Sequence, residues 1–412
     1  MWKEVDSRVT FLLQNSLQSF RHELLVRNFE GIPILQQHGG GDDNVPAYHS
    51  RRMSQLITQS NSTASAAYVE LKDKRHWFDG VMSTTPLRKF YAAILNPPAE
   101  LPELPQCFSI VIANPADMGS RGSLVVDQLS IPHQLGKIDV SRSTSTWTMT
   151  TSNISRFHFE SGRSFTLPLN IMVDQDRLDM SPDEKTSDRW IVRSLSGRWQ
   201  VRTVLLPPLL HELTIQISHD PDWLLEERHG AQLGPLDALL RSPGPFLIRQ
   251  LSTEASDVAL QISRNLFQYF LADTEIVSEV DAGKSARGNV ISVAMGGGFP
   301  PSVHPRFPIN LTENHGLEIR QSGDKMTLFG FQDGLGAIFL RPLPNERLEL
   351  VVWGIDSLGL RLAARLLPML TGVGQPEFVI VSKRCAWEGA SGVLAMGSFD
   401  SFWNISESSF VS

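Results

Sequence analysis

Ile32-Pro33-Ile34-Leu35-Gln36-Gln37-His38-Gly39-Gly40-Gly41-Asp42-Asp43-Asn44-Val45-Pro46 is a short apolar run that ends in three glycines and two carboxylates. The spacing predicts a buried strand, a loop, and then a helix. A carboxylate at the C-terminal edge of such a strand, followed at once by a helix, is held rigidly. Asp42 in that place can accept the Nδ1 proton of an imidazole and fix its tautomer. A plainer reading makes Gly-Gly-Asp-Asp-Asn a turn in which Asp43 or Asn44 caps the next helix.

Working outward, Phe11, Leu12, Leu17, Phe20, Leu24 and Leu25 recur at helical spacing between Val9 and Val26. A second helix is expected from Ala47 to Gln59, with Met53, Leu56 and Ile57 inward, and a strand from Ala66 to Leu71. The following loop carries His76-Trp77-Phe78-Asp79-Gly80. Thr85-Pro86 starts a third helix with Leu87, Phe90, Tyr91 and Ile94 on one face, and Asn96-Pro97-Pro98 stops it. The order is βαβα, half of a parallel sheet. A loop histidine at the edge of such a sheet can take a proton from a serine and return it to a leaving group, because its pKa lies near the working pH.

Beyond Pro97–Pro105 the pattern changes to short β-type runs: Cys107–Ala113, Ser123–Leu129, Ser145–Thr150, Ser164–Val173, Trp190–Val192, Trp199–Leu205 and Glu212–Ile217. Their turn-rich spacing predicts an antiparallel β-sandwich. From about Gly230 the character shifts again. An amphipathic helix over Ala255–Leu271 precedes strands over Val290–Met295, Gly336–Leu340 and Leu348–Trp353, a helix over Ser357–Leu370 and a strand over Glu377–Ser382. The expected fold class is α/β plus β in three units: residues 1–97, the C-terminal half of a hydrolase-type sheet; 98–225, the sandwich; and 226–412, a small Rossmann-like α/β layer.

Composition narrows the function. The 412 residues are 41% apolar and 20% charged, enough to form more than one core. A net charge of -7 leaves no basic field for a phosphate backbone, so nucleic acid is not an expected partner. No stretch has the apolar length of a membrane span, and Met1-Trp2-Lys3-Glu4-Val5-Asp6 lacks the layout of a signal peptide. Sequons at Asn61, Asn153, Asn310 and Asn404 nevertheless lean toward a secreted parent, and the compartment stays open. Cys107 and Cys385 allow at most one bridge and no metal knuckle. His22-Glu23 and His211-Glu212 are followed at the next helical turn by Val26 and Ile215 instead of a second histidine, so no zinc pair forms. Gly283-Lys284-Ser285 lacks the upstream glycine of a phosphate loop, and Gly296-Gly297-Gly298 runs into Phe299-Pro300-Pro301 where a helix would have to begin. No cofactor is expected.

In its two motifs, His38-Gly39-Gly40-Gly41-Asp42 with Val45-Pro46, and His76-Trp77-Phe78-Asp79-Gly80, the chain resembles the prolyl oligopeptidase family of serine peptidases, large fungal members above all. The resemblance with specific motifs covers Val9 to about Gly80. It implies that Asp42 orients the triad histidine and that His76 is general base and acid, although Asp43 stands beside Asp42 as a rival acid. Lys74-Arg75 is a departure, since relatives have glycine just before the histidine. The family's serine lies upstream of both on a G-x-S-x-G elbow, which these 412 residues lack. Gly354-Ile355-Asp356-Ser357-Leu358-Gly359 comes nearest, but it follows His76 and suits a helix cap. The expected activity is acyl transfer to a peptide or ester substrate in a full-length parent, with this chain inactive alone. The alternative is a non-catalytic binding or structural protein built on a hydrolase remnant. Half a parallel sheet also leaves an edge through which two copies can pair.

Overall fold

The computed structural model describes residues 4–60, 66–96, 104–143, 146–160, 168–180, 188–194, 196–204, 227–242, 244–278, 287–299, 306–312, 316–367 and 374–412. The architecture is α/β plus β, with strands far outnumbering helices among the described residues. The expected strand Glu212–Ile217 and the sequon Asn61 lie outside those residues.

Helix α1 (Ser7–Ser16) begins at Asp6, whose carboxylate accepts from Arg8 N at 2.8 Å. It is shorter than the sequence spacing predicts. Ser16 turns its hydroxyl back to Leu13 O at 2.8 Å, and three single 3₁₀ turns carry the chain on to Phe29. Strand β1 (Ile34–Gly39), helix α2 (Tyr48–Ser60) and strand β2 (Ala66–Leu71) form one parallel unit, with Ile34 opposite Ala66 and Gly39 opposite Leu71. Helix α3 (Thr85–Leu95) is capped by Thr84, one residue before the expected position, with Pro86 in its first turn. This sheet has only two strands among the described residues, and no residue of α3 is fully buried.

The sandwich comprises β3 (Cys107–Ile112), β4 (Leu124–Leu129), β5 (Gly136–Arg142), β6 (Thr146–Ser152), β7 (Ile154–Phe159), β8 (Asn170–Val173), β9 (Asp176–Asp179), β10 (Asp188–Arg193) and β11 (Trp199–Val204). One sheet runs β3-β5-β6-β8-β9 and the other β11-β10-β7-β4. Their inner faces share a core that includes Phe108, Ile138, Trp147, Met149, Phe157, Ile171, Ile191 and Trp199. The pairing is antiparallel except between β6 and β8, which run parallel, a correction to the purely antiparallel expectation. Asn153, at φ 55°, passes the chain from β6 in one sheet to β7 in the other. The free edge of β3 is covered by the segment before β1: Asn28 bonds both N and O of Val111 at 2.7 Å, and Glu30 accepts from Ser109 N at 3.0 Å.

The C-terminal unit is larger than the small layer expected. It holds β12 (Phe246–Gln250), α4 (Ser256–Phe270), β13 (Thr274–Ser278), β14 (Val290–Met295), β15 (Ile309–Leu311), β16 (Leu317–Arg320), β17 (Met326–Phe329), β18 (Gly336–Pro342), β19 (Leu348–Gly354), α5 (Ser357–Ala364), β20 (Phe378–Val381), α6 (Cys385–Glu388), β21 (Val393–Gly397) and β22 (Phe410–Val411). Eight strands form one mixed sheet in the order β13-β12-β14-β19-β18-β20-β21-β22, of which the first four are parallel. The parallel centre is buried on both faces, which is why β14 and β19 read as apolar runs, each interrupted by one buried polar residue, Ser292 and Glu349. Helix α4 buries Val258, Ala259, Ile262 and Leu266 at helical spacing against it.

Helix α1 does not flank β1. Its Val9 and Leu12 are part of the C-terminal core, and the Arg8 guanidinium lies 4.8 Å from the Phe410 ring centroid. Residues 7–16 therefore pack with the third unit and not with the first. Cys107 and Cys385 are both free thiols, and burial pushes the Cys385 thiol above its ordinary value.

Candidate functional site

The loop after β1 and the loop after β2 close on each other through their backbones. Gly40 N donates to Leu71 O at 2.8 Å, Gly41 N to Lys74 O at 2.9 Å, and Asp42 N to Gly39 O at 3.2 Å. The glycines are dictated by this approach. A Cβ on Gly39 would sit 2.5 Å from Lys74 O and 2.7 Å from Arg75 O. Lys74 and Arg75 thus present their carbonyls to β1, while the Lys74 ammonium lies 5.3 Å from the Phe78 ring centroid.

Closing the two loops brings Asp42 and His76 together. Asp42 Oδ2 lies 2.9 Å from His76 Nδ1, and Asp42 Oδ1 accepts from Asn44 N at 2.9 Å and Val45 N at 2.8 Å. The Asp42 side chain is 5% exposed and that of His76 29%. Burial works against ionising the carboxyl, but the Val45 amide, His76 and the Asn44 amide together outweigh it and hold the pKa at about 2. A carboxylate can only accept, so His76 Nδ1 carries the proton and Nε2 keeps its lone pair in the neutral ring. No hydroxyl or thiol lies within hydrogen-bond reach of Nε2 among the described residues. The Trp77 ring meets His76 edge-on at 4.9 Å between centroids and is itself 82% exposed. Asp43, the rival acid, is exposed and among the described residues approaches only Arg75, at 4.0 Å.

Sequence reasoning overlooked His38. Its Nε2 lies 2.9 Å from Val45 O and 3.2 Å from Asp42 Oδ2, and its Nδ1 lies 2.8 Å from Ser50 Oγ. A carbonyl only accepts, so Nε2 is the protonated nitrogen and Nδ1 accepts a hydrogen bond from the Ser50 hydroxyl. His38 ties the strand end to the start of α2 and approaches the same carboxylate oxygen, Oδ2, as His76 does. The four-residue spacing of His38 and Asp42 across a glycine loop was the available signal.

The other motifs resolve into packing. Asp356 caps α5, its Oδ1 accepting from Gly359 N at 2.7 Å and its Oδ2 from Gly334 N at 2.9 Å. Gly359 is required because a Cβ there would meet Leu335 O at 2.0 Å. Ser357 is the first residue of that helix, which follows β19 of the eight-stranded sheet, whereas His76 lies in the loop after β2 of the two-stranded one. The Gly296–Gly298 loop is folded onto the core, with Trp353 Nε1 donating to Gly296 O at 2.9 Å and Phe299 against Phe339 and Trp353. Among the described residues no group of three or more His, Cys, Asp or Glu is placed to hold a metal, and no helix is long and apolar enough to cross a membrane.

No family model matches the chain. A similar protein, described as an uncharacterized secreted protein of Arthroderma benhamiae (strain ATCC MYA-4681 / CBS 112371), is 38% identical over 423 aligned residues. The match takes in 100% of this chain and 43% of that relative, so the chain spans well under half the length of the protein it matches.

Proposed function

We propose that this chain supplies the acid and the histidine of a serine-type peptidase or esterase site of the prolyl oligopeptidase class, and that the attacking serine comes from polypeptide outside these 412 residues. The single observation that carries the reading is the 2.9 Å contact between Asp42 and His76 Nδ1, made from two loops at the same end of a parallel pair of strands. In the reaction so assigned, Nε2 takes the serine proton as the hydroxyl attacks an acyl carbon, then returns it to the departing amine or alcohol. Asp42 stays ionised throughout, holding the ring tautomer and stabilising the imidazolium. In this reading β1 and β2 belong to a wider hydrolase sheet. The description of the relative as secreted favours an extracellular setting for the parent.

The test has two arms. The chain alone should neither hydrolyse nitrophenyl esters nor react with a fluorophosphonate probe, and labelling that maps to Ser357 would place the nucleophile inside it. In a longer parent protein that is active, Asp42→Asn and His76→Ala at these positions should each reduce turnover by a factor of about 10³ or more, with substrate affinity little changed. Activity unaffected by His76→Ala would end the hydrolase reading. One observation favours the alternative, a non-catalytic binding protein: among the described residues His76 Nε2 faces no nucleophile. A parent with no elbow serine beside this segment, inert to the probe, would decide for that alternative.

A further inference from the structure

We propose that Asn404 carries an N-linked glycan whose first sugar packs on Phe402. The proposal rests on the extracellular setting above and on the supply of hydrogen bonds at each sequon. Glycosylation replaces one of the two Nδ2 hydrogens, so a folded protein tolerates the sugar where the amide nitrogen needs no more than one of them and faces water.

Three of the four sequons fall in described residues, and they differ on this point. Asn153 uses both hydrogens, donating to Ile131 O at 3.0 Å and Gln134 O at 2.9 Å, while its Oδ1 accepts from Ile131 N at 2.7 Å. A sugar there would break the corner that passes the chain between the two sandwich sheets. Asn310 is half-buried on β15 and donates to Phe307 O at 2.8 Å. Asn404 is exposed on a turn outside any named strand. Its amide approaches one carboxylate, Asp400, at 3.1 Å and 3.4 Å, and a single hydrogen is enough to keep that contact.

The turn also offers the sugar a surface. Asp400 N donates to Asn404 O at 2.8 Å, and the Asp400 carboxylate accepts from Phe402 N at 2.8 Å and Asn404 N at 2.9 Å. Trp403, at φ 62°, and Ile405 point into the core, 2% and 3% exposed, which leaves Phe402 and Asn404 on the water side. Phe402 is 50% exposed although its neighbours pack well. The apolar C–H face of a hexosamine attached two residues away can cover that ring, removing apolar surface from water.

The experiment passes the full chain through a yeast secretory pathway behind a leader peptide and maps occupancy by mass spectrometry after enzymatic release in heavy-oxygen water. Asn404 should be occupied in the folded, secreted fraction and Asn153 not. Ser406→Ala, which removes the sequon but keeps every Asn404 bond, should abolish the modification. The rise in Tm from the chain made in bacteria without glycan to the secreted chain should be about 2 °C larger than the same rise in Ser406→Ala or in Phe402→Ala. An empty Asn404, or an occupied Asn153 in folded protein, overturns the site. Occupancy with no thermal effect, or one that survives Phe402→Ala, overturns the sugar–ring contact. Because the leader forces export, occupancy tests the site itself; the extracellular reading is tested separately, by whether the native parent is found in culture medium.

Discussion

At the residue scale the Asp42 carboxylate organises two loops by accepting from two amides and an imidazole. Its pKa of about 2 lies below the ordinary 3.8, so the folded state binds this proton less readily than the unfolded chain does. The stability this gives is fully present above pH 4 and is lost as the pH falls from about 4 through about 2. Asp42→Asn should therefore be less stable than the parent chain near neutrality and converge with it below pH 2, measured by thermal unfolding across that range. Carbon-13 detection of the Asp42 carboxyl should give a midpoint near 2. Gly39 is the second such residue. Gly39→Ala places a methyl against two backbone carbonyls and should destabilise the unit by about 1–3 kcal/mol, read by denaturant titration. The same change should separate the loops, so the His76 Nδ1 proton should lose its downfield NMR signal.

At the element scale the two parallel regions of this molecule contrast. Strands β14 and β19 are buried along nearly their whole length, while β1 has one fully buried residue and β2 none. Around them Ile32, Tyr48, Trp77, Met82, Ile94 and Leu95 remain exposed. Parallel strands are ordinarily covered on both faces, and a two-stranded sheet is marginal in water. Amides of β1 and β2 should exchange with solvent much faster than those of β14 and β19 in a hydrogen-exchange experiment on the isolated chain. Equal protection in both regions would mean that the small sheet is covered by a second copy, which light scattering would detect. Among the sandwich strands, the three that the sequence did not disclose, β5, β7 and β9, are informative here. β5 and β9 alternate Lys, Asp, Ser and Arg with single apolar residues, and β7 follows β6 after a single left-handed residue. Their strand character comes from the partner sheet that buries Ile138, Val140, Phe157 and Leu178.

At the scale of the whole molecule a buried ion cluster joins the sandwich to the C-terminal sheet. Glu377 Oε1 lies 2.6 Å from Arg228 Nη1 and 2.9 Å from His133 Nε2, and Oε2 accepts from Phe399 N at 2.7 Å. His133, at φ 62°, comes from the loop between β4 and β5. Burial alone would raise the Glu377 carboxyl, but the Arg228 and His133 charges prevail and hold it below its ordinary value. Glu377→Gln leaves Arg228 buried without its counter-charge and should cost about 3–5 kcal/mol, with the sandwich and the C-terminal unit ceasing to unfold together in calorimetry. The sequence alone determined what local period and turn chemistry can carry: β1 with its glycine loop, α2, β2, a helix start within one residue of Thr85–Pro86, the sandwich pattern and the apolar runs of the C-terminal sheet. It also put Asp42 and His76 forward as partners, through the resemblance carried by their two motifs and the helix and strand that separate them. Only the tertiary structure decided that Asp42 and not Asp43 faces the ring, that His38 shares the carboxylate, that β6 and β8 run parallel, and that α1 packs at the far end of the chain. The physical reason is that periodicity records which side of an element is apolar, whereas the surface it meets depends on contacts between residues distant in sequence.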